Sequence, residues 1–145
     1  EPFIGSAAVR RGDLTRRSLA RDFDAVYRDV YLARGVEMTA LLRARAAWLA
    51  TGAPLVGLSA AALHGTKWLD PAWPAEVVRN DRHTVAGIVA HTWALDAGEL
   101  GVVGGIPVTT AARADLSATL TLGPLLEDPQ HLVAPCHGVV EGLLR

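Results

Sequence analysis

The spacing of apolar residues is helical in two short segments near the N-terminal end of the chain. Ser6 is expected to cap the first segment, AAVRR, and Gly12 to end it in a left-handed cap position. Thr15 is expected to cap the second segment, because a threonine hydroxyl can accept a hydrogen bond from the first turn. Two short helices separated by a few residues predict a helix-turn-helix. The apolar side of the second helix is predicted to consist of Leu14, Leu19 and Phe23.

The segment from Ala25 to Leu32, AVYRDVYL, has the pattern of a strand, a tight turn and a second strand. The dipeptide Arg34-Gly35 is expected to close this hairpin. A helix-turn-helix followed directly by a β-hairpin is the element order of a winged helix, so we expect a winged-helix-like segment over residues 1–35. Tyr27 and Tyr31 are expected to share one face of the hairpin and to pack there rather than stack on bases.

Helical spacing returns after the hairpin. Thr39 is expected to open the longest helix, ALLRARAAWLAT, and the run from Gly52 to Pro54 to stop it. Ser59 is expected to cap a further short helix, AAALH, which Gly65 ends. The core face of the long helix is predicted to consist of Leu41, Leu42, Ala44, Trp48 and Leu49.

From Ala75 the apolar period changes from about 3.6 to 2, which predicts strands. Four β-rich segments follow, AEVVR, GIVAHTWAL, ELGVV and GIPVTT, and then a weaker helical patch, ARADLSATL. The chain is therefore expected to have an α+β fold: a short helix-turn-helix with a β-hairpin wing, then a helix pair and a small, mainly antiparallel sheet. After this patch, prolines interrupt every stretch in which apolar residues recur at a regular spacing. We expect an α/β region over residues 36–120 and a weakly structured tail over 121–145.

Basic residues are concentrated in the predicted helix-turn-helix, although the chain as a whole carries 14 basic and 15 acidic residues. Five arginines and one aspartate lie between Arg10 and Arg21, a local charge of +4. Such a stripe can attract the phosphates of duplex DNA, or it can be only the solvated face of a small helix. The predicted DNA contacts are Arg16, Arg17, Ser18 and Arg21 on the helix, and Arg28 in the hairpin turn.

The spacing of reactive side chains predicts no catalytic residues, no cofactor and no metal site. The five histidines include no pair three or four positions apart, and the one cysteine, Cys136, adjoins His137 without an orienting third group. The paired acids Glu127 and Asp128 fall in a predicted turn. No window is apolar enough to span a membrane and no export signal is evident, so a cytoplasmic location is expected.

Five stretches, taken in order, resemble the N-terminal region of actinobacterial proteins related to the AbiEi antitoxins of type IV toxin–antitoxin systems. They lie between Pro2 and Leu116 and read PFIGSAAVRRGDLTRRSL, AVYRDVYLARG, RARAAWLATG, GLSAAALHGTKWLD and GGIPVTTAARADL. The resemblance implies a winged helix that binds DNA, often the promoter of its own operon. This winged helix is joined to an α/β region that either mediates antitoxin function, with a toxin as partner, or leads to a further domain. It implies a recognition helix at Arg16 to Arg21 and a wing at Val26 to Leu32.

The sequence departs from that family pattern in three places. Only five residues precede Ser6, so the helix that usually comes before the helix-turn-helix is expected to be absent or replaced. Ala111 to Ala114 run directly into Asp115-Leu116, which changes the register of the following helix. The carboxylate and lysine cluster of the endonuclease-like domain found in long relatives has no counterpart, as expected of a shortened relative.

Two functions from different classes follow. One is a DNA-binding regulator or antitoxin-like protein that uses the arginines named above. The other is a protein-interaction module that does not bind DNA, in which the arginines only solubilise the chain. In this second interpretation the partner surface would be formed by Trp68, Trp73 and Trp93.

Overall fold

A computed structural model describes residues 1–81 and 83–114 and confirms the α+β class. The described part contains seven strands and four α-helices, which we number in chain order. Their bounds are β1 (Phe3–Ile4), α1 (Gly5–Arg11), α2 (Arg16–Asp22), β2 (Phe23–Tyr27), β3 (Val30–Ala33), α3 (Ala40–Thr51), α4 (Gly57–Leu63), β4 (Ala75–Val78), β5 (Ile88–His91), β6 (Leu100–Val103) and β7 (Ile106–Thr109).

The first three strands form an antiparallel sheet in the order β1-β3-β2. The helix pair α1 and α2 is inserted between β1 and β2, and the β2–β3 hairpin follows, so the predicted helix-turn-helix and hairpin are confirmed as elements. The sequence did not predict β1. This strand pairs Phe3 with Tyr31 and Ile4 with Val30, and it therefore places the start of α1 beside the hairpin turn.

The caps of these helices follow the prediction at two positions and differ from it at a third. Gly12 ends α1 with a φ of +82°, and Thr15 caps α2 by accepting a hydrogen bond from the backbone of Ser18. The prediction that Ser6 caps α1 is wrong, because the N-cap position belongs to Ile4. The Ser6 hydroxyl instead donates a hydrogen bond to Asp29 in the hairpin turn.

The two tyrosines of the hairpin lie on opposite faces of the sheet, so the prediction of a shared face is wrong. The register between β2 and β3 shifts between Ala25 and Tyr27, which leaves Val26 as an extra residue in β2. Beyond this bulge Tyr27 pairs with Val30 and enters the main core. Tyr31 lies on the other face, in ring contact with Phe3.

Helix α3 is the centre of the fold. It packs against β1, β2 and β3 on the one hand and against β4 and α4 on the other. Thr39 caps it and Gly52 ends it, as predicted. None of its twelve residues is exposed, and the most deeply buried are Ala44, which was predicted, and Ala46 and Ala47, which were not. The predicted Leu41, Trp48 and Leu49 are partly buried and pack against the core. Alanines allow both sheets to approach the helix closely, and one core joins the two parts of the chain.

The second group of strands confirms the four predicted β-segments and adds an unexpected pairing. Strands β6 and β7 are antiparallel, whereas β4 and β5 are parallel. Leu55, in the connection between α3 and α4, bridges Val77 of β4 and Val108 of β7. The order is therefore β5-β4-Leu55-β7-β6, and β6 lies at one edge.

The prediction that Ser59 caps α4 is also wrong. The helix begins at Gly57, with Val56 at the N-cap, and Ser59 lies inside it. The Ser59 hydroxyl accepts a hydrogen bond from the backbone of Glu76, and the Glu76 carboxylate accepts one from the Leu58 backbone N–H. An acid from a neighbouring strand thus provides the cap that the sequence pattern assigned to a local serine.

The end of the predicted patch ARADLSATL and the predicted tail lie outside the described residues. Within the described part, residues 111–114 form a helical turn. No helix in that part is long and apolar enough to cross a lipid bilayer.

Candidate nucleic-acid interface

The turn between α1 and α2 is held by hydrogen bonds at both ends. The backbone N–H groups of Gly12 and Asp13 donate to carbonyls of the last turn of α1. On the α2 side, Thr15 and Ser18 form a reciprocal capping box in which each side chain accepts a hydrogen bond from the other residue's backbone N–H. The geometry between the two helices is therefore set by local contacts, independently of any bound partner.

The five predicted DNA contacts lie on two elements, as the sequence analysis proposed. Arg16, Arg17 and Arg21 are exposed on α2, and Arg28 is exposed in the hairpin turn. Ser18 is half-buried, and its hydroxyl is engaged in the capping box with Thr15. The Ser18 hydroxyl thus stabilises the start of α2.

The arginines of this surface differ in whether a carboxylate already holds them. Arg21 donates two hydrogen bonds to Asp22, of 2.7 and 2.8 Å. This pairing raises the pKa of Arg21 and lowers the pKa of Asp22, in both cases chiefly through the hydrogen bond. A phosphate would have to displace the Asp22 carboxylate, which costs little because water and salt screen an exposed ion pair.

Four further arginines have no ion pair with any residue in the described ranges: Arg10, Arg16, Arg17 and Arg28. We call these four residues the cationic surface. All of them are exposed, and they come from α1, α2 and the hairpin turn. Their guanidinium groups are free to bind an anion without first breaking a protein contact in that part of the chain.

The two arginines Arg10 and Arg16 line the same open cleft, which has a volume of about 460 Å³. Arg10 contributes from the last turn of α1 and Arg16 from the first residue of α2, and Asp29 closes the cleft from the hairpin turn. The apolar part of its lining is formed by Val9, Leu19, Ala20 and Tyr31. Sequence reasoning omitted Arg10 from the site residues, although the arginine run from Arg10 to Arg21 had included it.

The hairpin turn is attached to α1. The Asp29 carboxylate accepts hydrogen bonds from the backbone N–H and the hydroxyl of Ser6, at 2.8 and 2.5 Å. The Asp29 carbonyl oxygen accepts a third from the Gly5 N–H, at 2.9 Å. Asp29 therefore caps α1 from a distance, and the turn that carries Arg28 is held beside the helix pair. No local sequence pattern links residues 23 positions apart.

The other titratable residues of the described part make isolated contacts rather than a second cluster. Within residues 1–81 and 83–114, no group of three or more His, Cys, Asp and Glu residues is placed to hold a metal ion. His91 contacts the buried Glu76 carboxylate at 2.8 Å and stacks on Trp93 at a centroid distance of 4.0 Å. His64 contacts the Thr109 carbonyl oxygen. Cys136, His137, Glu127 and Asp128 lie outside the described residues.

Comparison of the chain with models of known protein families, with curated protein sequences and with solved structures finds no match.

Proposed function

We propose that this chain binds duplex DNA through the cationic surface, as a winged-helix-like regulator. The observation that carries the proposal is that Arg10 of α1 and Arg16 of α2, neither of which forms an ion pair within the described ranges, line one cleft. Asp29, the neighbour of Arg28 in the hairpin turn, lines the same cleft. Arginine is suited to this task because its planar fork binds two phosphate oxygens at once. The overall charge of −1 does not oppose it, because attraction to DNA depends on the local field at the contact.

The topology supports a docking mode for this surface. Helix α2 is the second helix of the helix-turn-helix, the position that enters the major groove in proteins of this type. In this mode Arg16 and Arg17 reach the groove edge, and Arg28 holds the backbone from the hairpin turn. Phosphate contacts of this kind fix orientation and affinity without reading sequence.

Helix α3 packs against the sheet that carries the hairpin turn. Helix α3 follows the hairpin in sequence, yet it packs on all three strands β1, β2 and β3. The sheet that carries the hairpin turn is therefore supported by an element that follows it in the sequence. A hairpin held in this way is compatible with the proposed contact between Arg28 and the DNA backbone.

The resemblance to AbiEi-related antitoxins suggests a specific biological role for DNA binding by this chain. In this proposed role the chain is a cytoplasmic antitoxin-like regulator of its own operon, with a toxin as protein partner. The single cysteine of the chain agrees with a reducing compartment. No catalytic role and no cofactor are proposed.

The experiment compares arginine variants on labelled duplex DNA taken from immediately upstream of the gene. Replacing Arg10, Arg16 and Arg17 together with alanine is expected to weaken binding by more than about tenfold, since each hydrogen bond to a charged group contributes about 1.5–3 kcal/mol. The control is Lys67→Ala, which removes an exposed cation from the other half of the chain. Equal affinity of the triple variant and the Lys67 variant would refute the proposed surface.

A protein-interaction module remains the second candidate, and one observation favours it. Trp68 is 75% exposed and has a φ of +67°, a conformation that costs free energy for a bulky residue. It lines a groove of about 560 Å³ together with Met38 and Leu41. Trp73 and Trp93 are partly buried and do not join it. A Trp68→Ala variant that keeps DNA affinity but loses a protein partner would assign this surface to that second function.

A further inference from the structure

Strand β6 is an edge strand whose outer side is unpaired within residues 1–81 and 83–114. It pairs with β7 on its inner side, in the register Leu100 with Thr109 and Val103 with Ile106. Beyond β7 the order continues through Leu55 to β4 and β5. An open edge offers backbone groups that another strand can complete.

The register shows which backbone groups of β6 face outward. The N–H of Thr110 donates to the Glu99 carbonyl, so residues 99, 101 and 103 use their backbone groups toward β7. The backbone groups of Leu100 and Val102 consequently point away from β7. The opposite strand agrees, because Pro107 and Thr109, which face these two residues, form their hydrogen bonds with Leu55 instead.

The side chains at the same two positions are apolar and exposed. Leu100 is 36% exposed and Val102 is 70% exposed, and they share one face of the sheet because they are two residues apart. No charged residue lies within β6, and the turn that follows it is Gly104-Gly105, which has no side chains to obstruct an approaching strand. Native edge strands usually carry a charge, a proline or a bulge that prevents pairing.

We propose that β6 pairs with β6 of a second copy of this chain, forming an antiparallel two-fold dimer. The arrangement is self-complementary when Gly101 lies opposite Gly101 of the second copy. Leu100 of each copy then lies opposite Val102 of the other copy. Each of these two equivalent pairs exchanges two backbone hydrogen bonds, which makes four in total. Gly101 occupies the narrow, non-hydrogen-bonded position, where the absence of side chains permits close approach.

Charge also favours a second copy as the occupant. In this register Glu99 lies opposite Val103, so no like charges face each other across the pair. The net charge of −1 makes the long-range repulsion between two copies small. The interface is short, so the dimer is weak and depends on concentration. This inference does not depend on the proposed DNA binding.

Sedimentation equilibrium of the full chain without DNA tests the proposal over a wide concentration range. The mass is expected to rise from 15.3 kDa toward twice that value. Val102→Lys is expected to lower the association constant by about tenfold or more. The substitution removes the apolar contact between Val102 and Leu100 at both equivalent positions, and the two lysines, as diagonal neighbours across the strands, repel each other. Val89→Lys, at the exposed valine of the opposite edge strand β5, is the control and is expected to leave the constant unchanged.

Mixing two variants separates pairing from misfolding. Val102→Lys and Val102→Glu should each be monomeric, and their equimolar mixture should regain dimer, since the opposite charges are then diagonal neighbours. Hydrogen exchange should show concentration-dependent protection at Leu100 and Val102. A monomer at all concentrations, or protection of these amides that does not change with concentration, overturns the proposal, as does a dimer that Val102→Lys leaves intact.

Discussion

Asp29 caps helix α1 from the hairpin turn, accepting hydrogen bonds from both the backbone N–H and the hydroxyl of Ser6. This contact joins the two elements that carry the cationic surface. Arg28 precedes Asp29 in the turn, and Arg10 lies at the other end of the helix that Asp29 caps. The relative positions of these two arginines therefore depend on this carboxylate together with the pairing of β1 with β3.

Asp29→Ala is expected to destabilise the fold by about 1–3 kcal/mol, because the helix loses its cap and alanine is strained in the left-handed conformation. Asp29 has a φ of +62°. Asp29→Asn should cost much less, since asparagine accepts one of the hydrogen bonds and tolerates this conformation. Urea unfolding measures both. The control is Asp13→Ala, which removes an exposed acid paired with Arg11; if it costs as much as Asp29→Ala, the remote cap has no special role.

Gly57→Ala is expected to be much more damaging than Gly52→Ala. Both glycines have positive φ values, +53° and +66°, so both substitutions carry the same kind of backbone strain. A Cβ at Gly57 would lie 2.6 Å from the Glu76 carboxylate, whereas a Cβ at Gly52 meets nothing within 4 Å. Displacing a buried carboxylate that caps α4 adds about 1–3 kcal/mol to the strain. Thermal or urea unfolding of the two variants gives the difference; similar losses would mean that Glu76 relocates freely.

Ala47→Leu is expected to destabilise the protein by about 1–3 kcal/mol through overpacking. Ala47 is fully buried in α3, between the two sheets that this helix separates. Ala20→Leu makes the same change at an exposed position of α2 and should shift the free energy of unfolding by less than about 0.5 kcal/mol. A tolerated leucine at position 47 would show that the sheets are not held closely against α3.

The stability of the protein is expected to fall as pH rises above the ordinary pKa of tyrosine, about 10. Burial raises the pKa of Tyr27, an effect that Arg43 partly offsets. The unfolded chain therefore releases the Tyr27 proton at a lower pH than the folded chain does, and stability is lost from that pH upward through the raised folded pKa. Tyr27→Phe should reduce the slope of unfolding free energy against pH above 10. An unchanged slope would mean that other groups cause the alkaline loss.

Local patterns predicted the elements well where neighbours in sequence are also partners in space. Thr15 and Thr39 cap their helices because the acceptor and donor are three residues apart. The hairpin was predictable for the same reason, since its strands are separated by only two residues. The same locality located the arginines of the candidate site on one helix and one turn.

The predictions failed where a remote group supplied the contact. Ser6 and Ser59 have the residue type of N-caps, but both lie inside the first turn of their helices, and Asp29 and Glu76 accept the hydrogen bonds from other elements. The parallel pairing of β4 and β5 depends on the path of the segment that connects them, and the local spacing of apolar residues does not predict that path. The error about Tyr27 and Tyr31 has a local cause, because the two-residue turn pairs Tyr27 with Val30 and so places the adjacent Tyr31 on the opposite face.

The salt dependence of duplex binding tests the central claim most directly. Each phosphate contact releases condensed counterions, so four arginine contacts predict a slope of about −3.6 in a plot of log affinity against log salt concentration. We expect this slope for the intact chain and a slope shallower by about 1 for Arg17→Ala. A flat dependence, or no binding at low salt, would contradict the assignment of the cationic surface to DNA.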